Sequence, residues 1–441
     1  MDLFELTASD VVRRLRDGAL RSEEFTRACL DRIEALESTV QAWTYIDPEY
    51  ALEQAREADE RRSAGAAVGP LHGLPVGVKD IFDTRDMPTE CGTSLFSARQ
   101  PNRDAHVVTA LREAGAIIMG KTVTTELAMY GPGKTTNPHH PEHTPGGSSS
   151  GSAAAVATNM VPLAIGSQTN GSVIRPASFC GVYGFKPSFG AISRSGVLAL
   201  SRPLDTVGVF GRTVEDLALA AQSLFGFDER DPDTHLRARQ NLVATTAEEP
   251  PLAPMFAFVK TPVWDKADDD TREGFAELVE ALGDQCDEVE LPALFDDAVR
   301  WHRTIMYADL AKSLAQLYDN GKDRLSDVLC GMIEEGQRCL AVDYNRAVDM
   351  VEILNAGFAQ IFDRYDAILT PAARGQAPAG LDTTGDPIFC SMWTLVGLPA
   401  VSLPLLRGSM DLPIGVQMIG ERHGDARVLR NARWLANHLA R

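Results

Sequence analysis

A chain of 441 residues, 44% hydrophobic and 23% charged, has an ordinary globular composition and can bury a large core without disulfides. Its net charge of −19 argues against nucleic acid as the partner, because phosphate binding needs a basic surface. Seven irregularly spaced cysteines, none in a CxxC pair, argue against a disulfide or zinc framework and fit a reduced, cytoplasmic compartment.

In chain order, the acidic start MDLFELTASD lacks the basic-then-apolar pattern of a signal peptide. No window approaches ~18 uninterrupted apolar residues, so no membrane contact is expected. The first sixty residues read as helices: Thr7 or Ser9 and then Ser22 are N-caps, and Phe25, Cys29, Ile33 and Leu36 share one face. Glu53 to Arg62 is a charged third helix, ended by the small residues of 63–69. The apolar run Leu74 to Val78 then delivers Lys79 and Asp80.

Strands and helices alternate from there. A helix over 105–114 precedes a strand at Ile117 to Met119, and two glycine–serine loops follow at 146–152 and 166–172. Between those loops, Ala153 to Ala157 reads as a buried helix and Val161 to Ile165 as a buried strand. Val182 to Phe185 is a further strand and 213–224 a helix, while the polar stretch 227–254 reads as an exposed connection. Strands at Phe256 to Val259, Ala367 to Thr370, Val401 to Pro404 and Leu412 to Ile419 flank a helical region over 294–364. Asp425 to Leu439 closes the chain as an amphipathic helix. The rhythm predicts an α/β fold: a central mixed β-sheet flanked by helices in a single large α/β/α domain spanning 1–441.

Two motif matches fail on context. Gly115-AIIM-Gly120-Lys121-Thr122 fits the P-loop spelling, but its variable residues are an apolar run after a helix and read as the strand itself. Gly147-Ser148-Ser149-Ser150-Gly151 fits a hydrolase elbow centred on Ser149. The preceding Pro141 to Gly146 cannot be a central strand, and His302, His423 and His438 sit in no recognisable context. His139, His140 and His143 lack carboxylate or cysteine partners at ligand spacing and read as a solvated loop, with no metal or cofactor implied.

A lysine and two serines remain: Lys79, Ser148 and Ser172. A serine hydroxyl needs a base to take its proton. Lysine serves only when neutral, and burial lowers its pKa by up to ~3–5 units; Lys79 ends an apolar run. The residue pattern alone leaves an ion pair with Asp80 open for Lys79.

The stretches PLHGLPVGVKD (70–80), GKTVTTELAM (120–129), TPGGSSSGSAAAVA (144–157), GSQTNGSVIRPASFCGVYGFKPSFG (166–190) and RPLDTVGVFGRTVEDLALAAQSL (202–224) resemble the amidase signature family, with a core over about 70–225. TLVGLPAVSLPL (394–405) and LPIGVQMIG (412–420) extend the resemblance into the tail. The resemblance implies an amidohydrolase with a Ser–cis-Ser–Lys triad and an acyl-enzyme intermediate, releasing ammonia or an amine. It implies Ser172 as nucleophile, Ser148 as the bridging serine after a cis bond, and Lys79 as base. It also implies Ser149 as a supporting serine and the amides of Thr169, Asn170, Gly171 and Ser172 as the oxyanion hole. Where the common family pattern has Asp-x-Gly-Gly-Ser-Ile-Arg, this chain has Gln168 to Arg175, with Gln168 for the acid, Asn170 for a glycine and the arginine one place later.

Arg175 and Gln168 are therefore candidate substrate contacts, with a structural arginine on loop carbonyls as the alternative. Met129, Tyr130, Gly131 and Trp393 are further candidates. The helical region near 290–365, with Trp301, Met306 and Tyr307, is the expected substrate-shaping part. The substrate is a small molecule. An aryl or hydrophobic amide and a small carboxylated amide compete, and carbamate, urea-like and ester bonds are open to the same nucleophile. A glutaminase-type component of an amidotransferase complex is the alternative assembly, and a homodimer is the family-level expectation.

Overall fold

The computed structural model describes residues 2–238 and 240–440. Among these residues, eleven strands form one sheet: β1 (Trp43–Ile46), β2 (Pro75–Lys79), β3 (Ile117–Thr122), β4 (Leu163–Gln168), β5 (Tyr183–Lys186), β6 (Thr206–Gly211), β7 (Phe256–Val259), β8 (Cys286–Val289), β9 (Ala367–Pro371), β10 (Ala400–Arg407) and β11 (Pro413–Ile419). Their order is β1-β3-β2-β4-β6-β5-β10-β11-β9-β7-β8, so the first half of the chain builds one side of the sheet and the second half the other, joined where β5 pairs with β10. The sheet is mixed. β2 runs parallel to both β3 and β4, β4 through β9 pair antiparallel across the centre, and β9, β7 and β8 are parallel again.

β2, β3, β4 and β6 are buried at every position, which is why they read as apolar runs rather than as alternations. β3 continues past the expected Met119 to Thr122, and Lys121 is a buried strand residue, as expected of a stretch that is not a P-loop. The stretch 227–254 carries a short helix, Leu242–Ala247, whose N-cap Asn241 accepts from the Ala244 amide. The helical region is four helices over Ala298–Ser313, Ala315–Gly321, Asp327–Gln337 and Ala341–Phe362. No helix among the described residues is long and apolar enough to cross a membrane.

One arrangement positions the site. Because β2 and β4 are parallel neighbours in the register Val78↔Ile165, their carboxyl ends deliver Lys79 and Ser167 side by side. The first serine loop feeds the buried helix Ser150–Ala157, which packs against β4. The second runs from the end of β4 into the helix Ile174–Cys180.

Candidate active site

Lys79 is completely buried, and its Nζ donates to Ser148 Oγ at 2.8 Å and to Ser167 Oγ at 2.9 Å. It makes no ion pair among the described residues. Asp80, the expected partner, instead takes the Lys121 ammonium at 3.1 Å. Loss of water around the ammonium pushes the Lys79 pKa down to about 7, against a smaller opposing pull from the buried carboxylate of Asp205. Lys79 therefore exchanges a proton near neutral pH.

The peptide bond Gly147–Ser148 is cis. Ser149 ties the two serine loops together: its hydroxyl donates to the Ser167 carbonyl at 3.2 Å and accepts from the Ser167 amide at 3.3 Å. A Cβ at Gly166 would stand 2.7 Å from that hydroxyl, so the contact requires glycine there. Fully buried and bonded on both sides, Ser149 is not an exposed elbow nucleophile.

The loop 169–172 is held from its carbonyl side. His302 Nε2 donates to the Thr169 carbonyl at 2.9 Å, Thr394 Oγ1 to the Asn170 carbonyl at 2.5 Å, and the Arg175 amide to the Gly171 carbonyl at 2.9 Å. The amides of Thr169, Asn170, Gly171 and Ser172 have no acceptor among the described residues. Four successive backbone donors are thus left without a protein acceptor. The Ser172 hydroxyl likewise has no partner there, at 8% exposure.

Gln168 is not a substrate contact. It is fully buried; its Oε1 accepts from the Val173 and Ile174 amides at 2.8 and 3.0 Å, and its Nε2 donates to Thr394 at 3.0 Å. It caps the first turn of the helix Ile174–Cys180 and braces the residue that holds Asn170. An amide does this without burying a charge, which an aspartate here would do. Arg175 is also sealed, with Nη2 donating to the Gly147 carbonyl at 2.7 Å and to Thr384 Oγ1 at 3.1 Å. Nη2 thus holds a loop carbonyl, while Nε and Nη1 have no partner among the described residues. Trp393 is core as well, wholly buried with its ring 5.0 Å from Phe358.

A cavity of about 320 Å³ meets Asn170 and is walled by Tyr130, His302, Met306, Tyr307, Ile388 and Ser391. Asn170 Nδ2 donates to the Tyr130 hydroxyl at 3.0 Å, and Ser391 donates to Asn170 Oδ1 at 2.8 Å. Of the candidates at 129–131 only Tyr130 lines it; Met129 is buried and lends its carbonyl to Thr125, and Gly131 accepts the Glu126 amide. The Arg303 guanidinium at its edge is taken by Glu335 at 2.6 Å. Trp301 does not line it. His302 had no recognisable context in the sequence; burial pushes its pKa down to about 4, so it stays neutral and its Nε2 carries the donated proton. His143 is buried against the Ala377 carbonyl at 2.7 Å, and His139 pairs with the Cys180 carbonyl while staying exposed, so this surface loop is anchored at two of its histidines.

A family model described as Amidase matches residues 24–429. A glutamyl-tRNA(Gln) amidotransferase subunit from Natranaerobius thermophilus is 31% identical over 98% of this chain and 95% of its own. The corresponding amidotransferase subunit from Geobacter metallireducens is 34% identical over 98% and 97%. Among solved structures, a crystal structure of an amidase superposes with TM-score 0.86 at 28% identity, covering 98% of this chain and 99% of its own. Peptide amidase from Stenotrophomonas maltophilia gives 0.85 at 27%, covering 99% and 97%. A chain from a vestigial protein complex tied to the origins of an s-triazine catabolic enzyme gives 0.91 at 26%, covering 98% of each.

Proposed function

The chain belongs to the amidase family, and from that premise we propose that it hydrolyses the C–N bond of a small carboxamide through Ser172, Ser148 and Lys79. The observation that carries the reading is a buried lysine with no carboxylate partner, 2.8 Å from Ser148 and titrating at about 7. Neutral Lys79 accepts a proton through Ser148 as Ser172 Oγ attacks the carbonyl carbon. The developing oxyanion meets the free amides of 169–172, and such a donor is worth ~10²–10³ in rate. As the tetrahedral intermediate collapses, Ser148 returns the proton to the leaving nitrogen and is itself reprotonated by Lys79. Water then clears the acyl-enzyme by the same relay. Supporting the choice of acyl group, the cavity beside Asn170 offers Tyr130, Met306, Tyr307 and Ile388 and no free cation, which suits a compact neutral or aromatic acyl group better than a carboxylate. We also read residues 1–441 as one amidase domain, since a single continuous sheet takes β1–β6 from the first half and β7–β11 from the second and is joined at β5 and β10.

A screen of amides by released ammonia or amine tests this: Ser172→Ala lowers kcat/KM by at least ~10³-fold, and retained activity overturns the assignment. Carbamates, urea-like compounds and esters present the same carbonyl, and matched substrates in that screen rank them. The relatives named as amidotransferase subunits favour one second reading, a glutaminase-type component of a larger complex. It predicts a stable hetero-complex and little activity from the purified chain, both read from its size-exclusion mass and turnover.

A further inference from the structure

Thr169 carries the first of the free amides at 169–172, and its other two polar groups are both held from outside the loop. His302 Nε2 donates to its carbonyl at 2.9 Å, and its hydroxyl donates to Asp205 Oδ1 at 2.6 Å. Asp205 precedes β6, which pairs with β4 so that Val207 stands opposite Ser167 and Thr206 opposite Gln168. Asp205 thus lies one step further on, level with Thr169. Its second oxygen, Oδ2, accepts from the Leu200 and Ser201 amides at 2.8 and 3.0 Å. Ser201 Oγ donates to Asp309 Oδ2 at 2.7 Å, and Asp309 shares the helix Ala298–Ser313 with His302. These contacts close a ring: Thr169, Asp205, Ser201, Asp309, the helix, His302 and back to Thr169. Met306 and Tyr307, which wall the cavity beside Asn170, stand on the same helix between His302 and Asp309.

The carboxylate also acts on the base. Lys79 Nζ meets Ser167 of β4 at 2.9 Å, two places before Thr169. Of the ionisable groups around Lys79, Asp205 exerts the strongest pull toward the ammonium form. The others are silent: burial pushes the Cys91 thiol up to about 12, and Asp80 is taken by Lys121 at 3.1 Å. Burial raises the Asp205 pKa to about 6, against its three hydrogen bonds and Arg194, so the carboxylate is charged where Lys79 titrates. Arg194 Nη1 donates to the Asp205 backbone carbonyl at 3.3 Å, and its own charge is met by Asp231 at 2.8 Å and by Asp233. The tetrahedral intermediate carries two new charges at once. The carbonyl oxygen becomes an oxyanion beside 169–172, and the Ser172 proton, passed through Ser148, makes Lys79 an ammonium. Resting on the amide-hydrolysis reading above, we propose that Asp205 is a positioning residue that serves both charges: its bond to the Thr169 hydroxyl aims the first oxyanion donor, and its negative charge stabilises the Lys79 ammonium.

Asparagine at this position keeps the links and loses the charge, because its Oδ1 can take the two amides while its Nδ2 donates to the Thr169 hydroxyl. In Asp205→Asn the pH midpoint of kcat/KM is expected to fall by ~1 pH unit. Thr169→Val removes the link and keeps the charge. There kcat is expected to fall ~10-fold with KM and the midpoint little changed, and Thr169→Ser to recover most of the loss. Lysine labelled with carbon-13 at Cε reads the base without substrate: the resonance absent from Lys79→Met is expected to titrate ~1 pH unit lower in Asp205→Asn than in the wild-type chain. A midpoint and a resonance that stay put in Asp205→Asn, or wild-type kcat in Thr169→Val, overturn the proposal while leaving amide hydrolysis standing. If the wild-type chain turns over no amide, the hydrolytic reading falls instead, and a Lys79 resonance unmoved in Asp205→Asn still overturns the role of Asp205. Should Asp205→Asn fail to fold, Thr169→Val and its serine counterpart decide alone.

Discussion

Replacing Lys79 with methionine separates the cost of the buried amine from its use. In the fold the lysine titrates at about 7, against 10.5 for the free side chain, and the displacement comes from burial. A difference of about 3.5 units is about 5 kcal/mol between the two protonation states. The sign follows from proton counts. Between pH 7 and 10.5 the unfolded chain binds a proton at this lysine that the folded chain does not, so stability rises with pH across that window. Below pH 7 both states are protonated and the penalty is nearly full, about 5 kcal/mol; by pH 9 it has fallen to about 2 kcal/mol. Methionine removes the penalty at every pH and forfeits the two hydrogen bonds to Ser148 and Ser167, a loss of about 1–3 kcal/mol. Lys79→Met is thus expected to be catalytically dead and more stable than the wild-type chain at pH 6.5, with the advantage shrinking by about 2–3 kcal/mol by pH 9. Urea unfolding of both proteins at the two pH values reads it. Lys186, also buried and displaced to about 7, is present in both proteins and cancels. Parallel stability curves, or an advantage that grows with pH, would refute the reasoning. For activity the same titration predicts that wild-type kcat/KM rises with pH through a midpoint near 7.

His302→Leu removes the donor that holds the Thr169 carbonyl and is expected to lower kcat by ~10-fold or more. His302→Gln keeps an N–H donor and should recover most of the loss; equal kcat in the leucine and wild-type proteins would remove His302 from the account. Arg175→Met is expected to lose stability and to slow neutral and carboxylated amides alike, because the guanidinium holds the Gly147 carbonyl and Thr384. A selective loss on carboxylated substrates in a steady-state comparison would restore Arg175 as a substrate contact.

Apolar runs carried most of the sheet in the sequence, since strands buried on both faces are spelled as Leu74 to Val78 and Val161 to Ile165 are. What escaped was short or interrupted. β1 is four residues with a half-buried pattern, and β8 is a polar Cys-Asp-Glu-Val edge. β6 carries two glycines, and the helix Ile174–Cys180 has Pro176 in its first turn, where the missing amide costs nothing. Within the site, the family motifs single out Lys79, Ser148 and Ser172 as the proposed triad, and the run before Lys79 foretold its burial. Gln168 and Arg175 stood out as departures, but their side chains turn inward, and sequence spacing carries no direction. Trp393 followed the same logic: its helix, Ile388–Leu395, is buried on nearly every side. His302 was illegible because its partner lies 133 positions away, and a lone histidine on a helix has no local signature. The clue to it was tertiary: a loop with its carbonyls tied back so that its amides face free.

The most direct measurement is intact-protein and peptide mass after reaction with a slowly turning-over acylating substrate, such as an aryl carbamate. One acyl group on the peptide bearing Ser172 is predicted, absent in Ser172→Ala and formed far more slowly in Lys79→Met. An adduct on Ser149 or on a cysteine, or undiminished turnover in Ser172→Ala with no adduct, would contradict the account.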